Sequence, residues 1–181
     1  MVAHLKTLFF NFAAEKSFKQ NILESICECS ISYSKLLCFS YKIKSSYFSL
    51  REEYSIRFHE GNFLHLTGVK TKLSPNDFFK KAITKELTVN DFDCDSTHSL
   101  KGTVREKIKN LKHIDSFFEE CVCVQEKFER GKVFCLVASS NGKFTLGFTG
   151  GINLSPMTLL NKNQIKAEMA IVDFEVEKKK I

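Results

Sequence analysis

The sequence predicts an α+β fold, in which an N-terminal helix and two middle helices pack on an antiparallel β-sheet. Apolar residues recur every three or four residues near the N-terminus and again in the middle of the chain, which is typical of amphipathic helices. Apolar and polar residues alternate through most of the C-terminal half, as they do in strands. Because the two patterns occupy separate stretches of the chain, the arrangement is α+β.

The first predicted elements are a helix over about 8–28 and a strand over 36–44. In the strand, Phe39, Tyr41 and Ile43 share one side. The helix carries these apolar residues at helical spacing: Phe9, Phe10, Phe12, Phe18, Ile22, Leu23 and Ile26.

A hairpin is predicted next, because residues 54–59 alternate and a turn at 60–62 leads into a second alternating segment over 63–67. This second strand is expected to end at Gly68. A helix follows, with Ser74 as its cap and Pro75 in its first position, and it is expected to end before Asn90.

A second middle helix is predicted over 100–112, and strands are predicted over 121–128, 132–139 and 143–149. Asn141-Gly142 separates the last two strands and predicts a type I′ turn, which requires positive φ at both central residues. Residues 153–160 are interpreted as a loop or short helix and 169–176 as a final strand. Residues 177–180 are expected to form a solvated tail.

Length and composition predict a single cytoplasmic domain over 1–181, because a hydrophobic fraction of 43% is enough to bury one core. No apolar run approaches the roughly 18 to 20 residues of a membrane span, and the opening residues are too polar for a secretory signal. The 7 cysteines are expected to be reduced, since Cys27-x-Cys29 and Cys121-x-Cys123 lack the two-residue gap of a zinc site. No metal site is predicted.

Charge permits a nucleic-acid partner, although many basic proteins of this size bind none, and the motif content predicts no cofactor. Lys and Arg outnumber Asp and Glu by 27 to 21, and the pI near 8.9 permits an anionic partner. Glycine-rich phosphate loops, zinc-protease helices and serine-hydrolase elbows are missing from the sequence, so no cofactor is expected. The remaining His, Lys, Arg, Ser and Thr residues are those that metal-independent ribonucleases use as base, acid and charge stabilisers.

Candidate catalytic residues come from the predicted hairpin. His65 would lie on the face opposite Leu64 and Leu66, and histidine suits acid and base roles near neutral pH. Arg57 and His59 share one face of the preceding strand and would join His65 if the hairpin brings them alongside. The simpler interpretation is a half-buried strand histidine beside ordinary polar residues on a free sheet face.

Candidate substrate-binding residues lie on the same face, in a following cationic loop, on a basic helix face and in a late hydroxyl-bearing segment. The loop and helix also fit ordinary solvated surfaces, and Ser155 also fits the cap of a short helix starting at Pro156. His98 and His113 are expected to be structural or exposed. The candidates are Thr67, Lys72, Lys101, Arg105, Lys109, Ser155 and Thr158, and Lys70 of the same loop is a candidate catalytic residue.

The segment 62–70, Asn-Phe-Leu-His-Leu-Thr-Gly-Val-Lys, and the Phe78-Phe79 helix after it resemble phage-type members of the barnase, EndoU, colicin and RelE-like (BECR) nuclease family of Firmicutes and their phages. The resemblance covers about 41–160. It implies a BECR-like nuclease core over about 38–176, RNA cleavage without metal and a toxin-like, mobile-element context. It also implies His65 as general acid or base, Lys70 as charge stabiliser, and Ser155 and Thr158 as phosphate contacts.

The leading hypothesis is a metal-independent endoribonuclease that uses a ribose hydroxyl as internal nucleophile. The expected partners are RNA, including transfer RNA, and a protein antidote or host defence protein. Two alternatives remain: a non-enzymatic mobile-element protein that inhibits a host nuclease or defence complex, and a non-catalytic RNA-binding module.

Overall fold

The computed structural model describes residues 17–181, where a seven-stranded sheet carries helices on one face. The helices are α1 Phe18–Ser34, α2 Asn62–Thr67, α3 Pro75–Ile83 and α4 His98–Leu111, with short 3-10 helices at Lys35–Cys38, Ile114–Glu119 and Ala167–Met169. The strands are β1 Phe39–Lys44, β2 Glu53–Arg57, β3 Lys70–Thr71, β4 Phe92–Asp93, β5 Cys123–Arg130, β6 Val133–Ser140, β7 Phe144–Gly150, β8 Asn153–Asn161 and β9 Glu175–Lys180.

The sheet has the strand order β5-β6-β7-β8-β2-β1-β9, and β3 and β4 form a separate two-stranded ribbon. Every neighbouring pair in the large sheet is antiparallel except β2 and β8, which run parallel. The predicted α+β class is confirmed.

The core lies between the helices and one face of the sheet. Its centre is aromatic: the Tyr33 ring lies 5.7 Å from that of Phe58, 5.2 Å from Phe63 and 5.8 Å from Phe79. These rings come from α1, α2, α3 and the end of β2, so their burial joins the helix layer to the sheet. Each fully buried Phe contributes about 1.5–3 kcal/mol through the hydrophobic effect.

The first helix begins with Ser17, whose side chain accepts a hydrogen bond from the Gln20 backbone. It continues to Ser34, six residues beyond the predicted end, because Cys29 and Tyr33 extend its buried side. The predicted part of this helix over 8–16 lies outside the described residues.

The predicted hairpin after β2 is wrong, since Asn62–Thr67 forms the helix α2. Phe63, Leu66 and Thr67 are buried while His65 is exposed, which is the spacing of a helix and not of a strand. Gly68 ends α2 in the left-handed conformation at φ 75°. A six-residue segment with three apolar side chains fits the period of a helix and that of a strand, so the local pattern does not show which of the two forms.

The two middle helices are confirmed, with Ser74 capping α3 and Thr97 capping α4. The β6–β7 hairpin is confirmed as well, but its type I′ turn is wrong, because only Gly142 has positive φ. The Asn141 side-chain oxygen instead accepts hydrogen bonds from the backbone N–H of Lys143, at 3.1 Å, and Phe144, at 3.0 Å.

The predicted loop or short helix over 153–160 is wrong, because this segment forms strand β8 between β7 and β2. Pro156 is tolerated there since the pairing with β7 shifts register between Gly147 and Phe148. The predicted short helix that Ser155 would cap is therefore excluded.

The final strand lies closer to the C-terminus than predicted. Residues 169–174 contain the end of a 3-10 helix and a single bridge from Ile171 to Val124, and β9 covers Glu175–Lys180. The predicted solvated tail is thus the edge strand paired with β1. Its side chains are mostly exposed, so only backbone pairing distinguishes it from a tail.

All seven cysteines are free thiols, in agreement with the predicted reduced state. Within residues 17–181, no helix has both the length and the apolar character needed to cross a bilayer.

Candidate active site

The helix-free face of β9, β1, β2 and β8 carries a polar groove of about 380 Å³, which we call the open-face groove. The groove side chains alternate along β1 and β2 with the buried side chains of Ile43, Tyr54 and Ile56, which point into the core. The groove is lined by Ser40, Tyr41, Lys42, Ser55, Arg57, Asn153, Glu177, Lys179 and Ile181.

Sheet register arranges these residues in two rows. Ser40 pairs with Arg57 on one neighbouring strand and with Lys179 on the other, so the Ser40 hydroxyl has one cation on each side. Lys42 pairs in the same way with Ser55 and Glu177. Neighbouring strands are about 4.8 Å apart and the rows are separated by about 6.6 Å along the strand. Residues from four strands therefore converge on an area the size of one or two nucleotides.

Arg57 is the unusual member of the groove. Its Nε is inaccessible to solvent and has no hydrogen-bond partner, and its guanidinium forms no ion pair within residues 17–181. An unsatisfied buried donor costs about 1–3 kcal/mol. A guanidinium binds a phosphate through two parallel hydrogen bonds, and Arg57 as a whole is only half-buried, so its other N–H groups can bind an anion in the groove.

Lys179 is the second groove cation that forms no ion pair with the described residues 17–181. The lysine before it differs, since Lys178 lies on the other face, 4.4 Å from the Phe39 ring centroid and 3.6 Å from a Glu119 carboxylate oxygen. The groove also contains the acid Glu177, whose pKa is lowered by the hydrogen bond from Lys44, at 2.6 Å. Lys44 thereby offsets the charge of Glu177 and leaves Lys179 available to an anion.

His59 follows Arg57 by two residues, and the alternation continues through it, because Phe58 is buried and His59 is exposed. Its backbone is held at both ends. The His59 N–H donates to the side-chain oxygen of Asn62 at 3.0 Å, and its carbonyl accepts from Tyr33 Oη at 2.8 Å. The imidazole makes no hydrogen bond within residues 17–181, so it remains free for proton transfer.

His65 lies elsewhere, in the last turn of α2 within the helix layer. It is exposed, its carbonyl accepts a hydrogen bond from Lys107 Nζ at 3.1 Å, and it does not line the open-face groove. The hairpin that would have brought it beside Arg57 and His59 is replaced by a helix. Arg57 and His59 lie two residues apart at the end of β2 while His65 lies in α2, and neither histidine is among the residues that line the groove.

Thr67, which the sequence predicts to bind substrate, is fully buried, so its hydroxyl is not exposed to a substrate in this structure. Its hydroxyl donates to the Leu64 carbonyl at 2.7 Å and accepts from the Val69 N–H at 3.3 Å. The Thr67 hydroxyl therefore acts as both donor and acceptor at the end of α2.

Lys70 and Lys72 are exposed at the β3–β4 ribbon, but the predicted cationic loop also contains acids. Lys70 stands opposite Asp93 in the ribbon, and Asp91 and Asp93 line the same groove of about 480 Å³ as the two lysines. The local charge is balanced, which makes this a weaker anion site than the open-face groove.

The basic face of α4 is present, and part of it packs on α1. Lys101 Nζ lies 4.6 Å and the Arg105 guanidinium 5.6 Å from the centroid of the Phe18 ring. Lys109 is exposed. Lys107 is largely desolvated, and burial lowers its pKa.

The two late hydroxyls have different surroundings on β8. Ser155 is half-buried and lies two residues beyond Asn153, hence on the face that carries the open-face groove. Thr158 is buried opposite Gly147, where an added Cβ would stand 2.9 Å from its Cγ2 atom. The phosphate contact of Thr158 stays a prediction that its burial does not favour, and Ser155 stays a candidate.

Sequence reasoning missed several groove residues, namely Ser40, Lys42, Ser55, Asn153 and Lys179. The polar positions of β1 alternate with Tyr41 and Ile43, so their common face was readable from the sequence. Lys179 carried no such signal, because a run of charged residues at a chain end looks like a tail. Among residues 17–181, no cluster of three or more His, Cys, Asp or Glu side chains is arranged to hold a metal ion.

Comparison with protein families gives a match that covers most of the groove-lining residues and ends before Lys179 and Ile181. The family described as phage-Barnase-EndoU-ColicinE5/D-RelE like nuclease4 matches residues 25–177, from α1 into β9. Comparison with curated proteins and with solved structures gives no match.

Proposed function

Since the chain belongs to this family of nucleases, we propose that it is a metal-independent endoribonuclease whose active site is the open-face groove. The observation that carries the proposal is the Arg57 guanidinium, which is partly desolvated and lacks an acceptor within residues 17–181. Because no described protein group accepts from this charged donor, a bound phosphate is a suitable acceptor for it.

The proposed reaction begins when the ribose 2′-hydroxyl attacks the adjacent phosphorus. His59 accepts the hydroxyl proton as the bond from phosphorus to the 5′-oxygen breaks, since a histidine can hold a proton near neutral pH, and water supplies the proton that the leaving 5′-oxygen takes up. Arg57 and Lys179 face the phosphate from two strands and stabilise the charge that develops on the phosphorane. The products would be a 2′,3′-cyclic phosphate and a free 5′-hydroxyl.

RNA is the proposed substrate because this reaction takes its nucleophile from the substrate. DNA lacks the 2′-hydroxyl and would need an activated water instead. The hydroxyls of Ser40 and Ser55 and the amide of Asn153 supply neutral hydrogen-bonding groups beside the cations, as is usual for phosphate and sugar contacts.

The test uses purified protein with end-labelled transfer RNA and total RNA in excess chelator. We expect cleavage with cyclic-phosphate ends, and we expect His59→Gln and Arg57→Gln to lower kcat by about 100-fold or more, as loss of acid–base or charge stabilisation does. His113→Gln is the matched control, because His113 is exposed at the end of α4.

Two results would contradict the proposal in different ways. Intact RNA with the wild-type protein would reject ribonuclease activity and favour a binding or inhibitory role. Cleavage that is lost in His65→Gln but retained in His59→Gln would keep the activity and move its site to the helix layer.

A further inference from the structure

We propose that Tyr33 and Asn62 are positioning residues that hold His59, two residues beyond the groove residue Arg57. This inference rests on the proposed ribonuclease function, and it assigns to α1 and α2 a role in that site although neither helix lines the groove.

The hydrogen bonds around His59 form a closed set, which we call the His59 clamp. Asn62 bonds to His59 through its side chain and its backbone. The Asn62 side-chain oxygen accepts a hydrogen bond from the His59 N–H at 3.0 Å, and the Asn62 backbone N–H donates to the His59 carbonyl at 3.0 Å. The Tyr33 hydroxyl donates to the same carbonyl at 2.8 Å. With its N–H and carbonyl both bonded, the His59 backbone is restrained where β2 has already ended.

Tyr33 is a rigid anchor for this clamp. Its side chain is fully buried, and its ring packs against Phe58, Phe63 and Phe79 at centroid distances of 5.2 to 5.8 Å. Burial raises the pKa of the hydroxyl, so Tyr33 remains protonated and a donor near neutral pH. The hydrogen bond from Tyr33 in α1 therefore ties the His59 backbone to the packed core.

A clamp of this kind affects the chemical step more than substrate binding. The phosphate contacts come from Arg57 and Lys179, which the clamp does not touch, whereas proton transfer requires the imidazole to stay within hydrogen-bond reach of the reacting oxygen. Small misplacements of a catalytic group have large effects on rate. Loosening the clamp should therefore lower kcat with little change in KM.

The first variant is Tyr33→Phe, which keeps the ring and removes only the hydroxyl. We expect kcat to fall about tenfold with KM unchanged, corresponding to one lost hydrogen bond of ordinary strength. The His59 amide should exchange its hydrogen faster in the same variant. Tyr54→Phe is the matched control, since it also removes a buried tyrosine hydroxyl bond, to Glu126 on β5, and it should retain the wild-type kcat.

The second comparison is Asn62→Ala against Asn62→Asp. The aspartate retains an oxygen that accepts the His59 N–H, so it should restore most of the kcat that the alanine loses. If Tyr33→Phe and Tyr54→Phe lower stability alike and leave kcat unchanged, the clamp is only structural and the inference is overturned. That result is distinguishable from failure of the proposed function, because His59→Gln would still be inactive while the wild type cleaves RNA.

Discussion

At the scale of the residue, the cations of the open-face groove differ in whether a carboxylate of the protein balances their charge. Lys42 Nζ lies 2.8 Å from a Glu53 oxygen, so its charge is balanced within the protein. Arg57 stands two strand positions away without such a partner, and its Nε is shielded from water. A residue that lowers stability in this way is typical of a functional site, because bound substrate provides what the free protein lacks.

This difference predicts opposite effects of substitution on stability. Arg57→Met keeps an apolar stem of similar length and removes the unsatisfied donor, so we expect the free energy of unfolding to rise by about 1 kcal/mol while cleavage is lost. Lys42→Met removes a paired charge and should not stabilise the protein. Urea unfolding of both variants measures the effect, and a less stable Arg57→Met protein would show that the guanidinium has a structural role.

At the scale of the element, one carboxylate organises the loop between β1 and β2. Glu126 on β5 accepts hydrogen bonds from the Ser49 N–H and hydroxyl, each at 2.7 Å, from the Leu50 N–H at 3.1 Å and from the Tyr54 hydroxyl. Burial acts to raise the pKa of Glu126, but these donors outweigh it and the pKa is lowered. The loop that leads into β2 and Arg57 is therefore tied to the opposite edge of the sheet.

The lowered pKa gives this contact a defined pH dependence. A carboxyl with a lowered folded-state pKa stabilises the fold fully above its unfolded value, about 4.3, and loses that effect as the pH falls through the folded value. We expect Glu126→Gln to be less stable by about 2 kcal/mol at neutral pH and the difference to shrink below about pH 4.

Glu129→Gln is the control for this pH dependence, since Glu129 is exposed on the same strand. Urea unfolding across the pH range compares the two variants with the wild type. A Glu126→Gln difference that stayed constant down to pH values near 3 would mean that the carboxylate charge is not what holds the loop.

At the scale of the whole molecule, positive charge occurs on two sides. The open-face groove carries Arg57 and Lys179, and the helix layer carries the basic face of α4. Only the groove combines unpaired cations with hydroxyls from several strands, whereas Lys101 and Arg105 also pack over Phe18. RNA binding should therefore depend more on the sheet than on α4.

Salt dependence of RNA binding separates these two surfaces. In a His59→Gln background, which prevents cleavage, we expect Lys179→Gln to reduce the slope of log affinity against log salt by about 0.7, the value for one single-strand phosphate contact. Lys178→Gln changes the neighbouring lysine on the opposite face and should leave the slope unchanged. A slope that responds only to Lys101, Arg105 and Lys109 would place RNA on the helix layer.

The sequence by itself determined the α+β class, the capped helices α3 and α4, and the hairpin at 141–142, because caps, turns and long periodic patterns act within a few residues. It also placed Arg57 and His59 on one face. Only the tertiary structure decided that 62–67 is a helix, that 153–161 is a central strand, and that Lys179 belongs to an edge strand. The physical reason is that pairing between distant strands, and not local propensity, selects among structures that short or polar segments fit equally well.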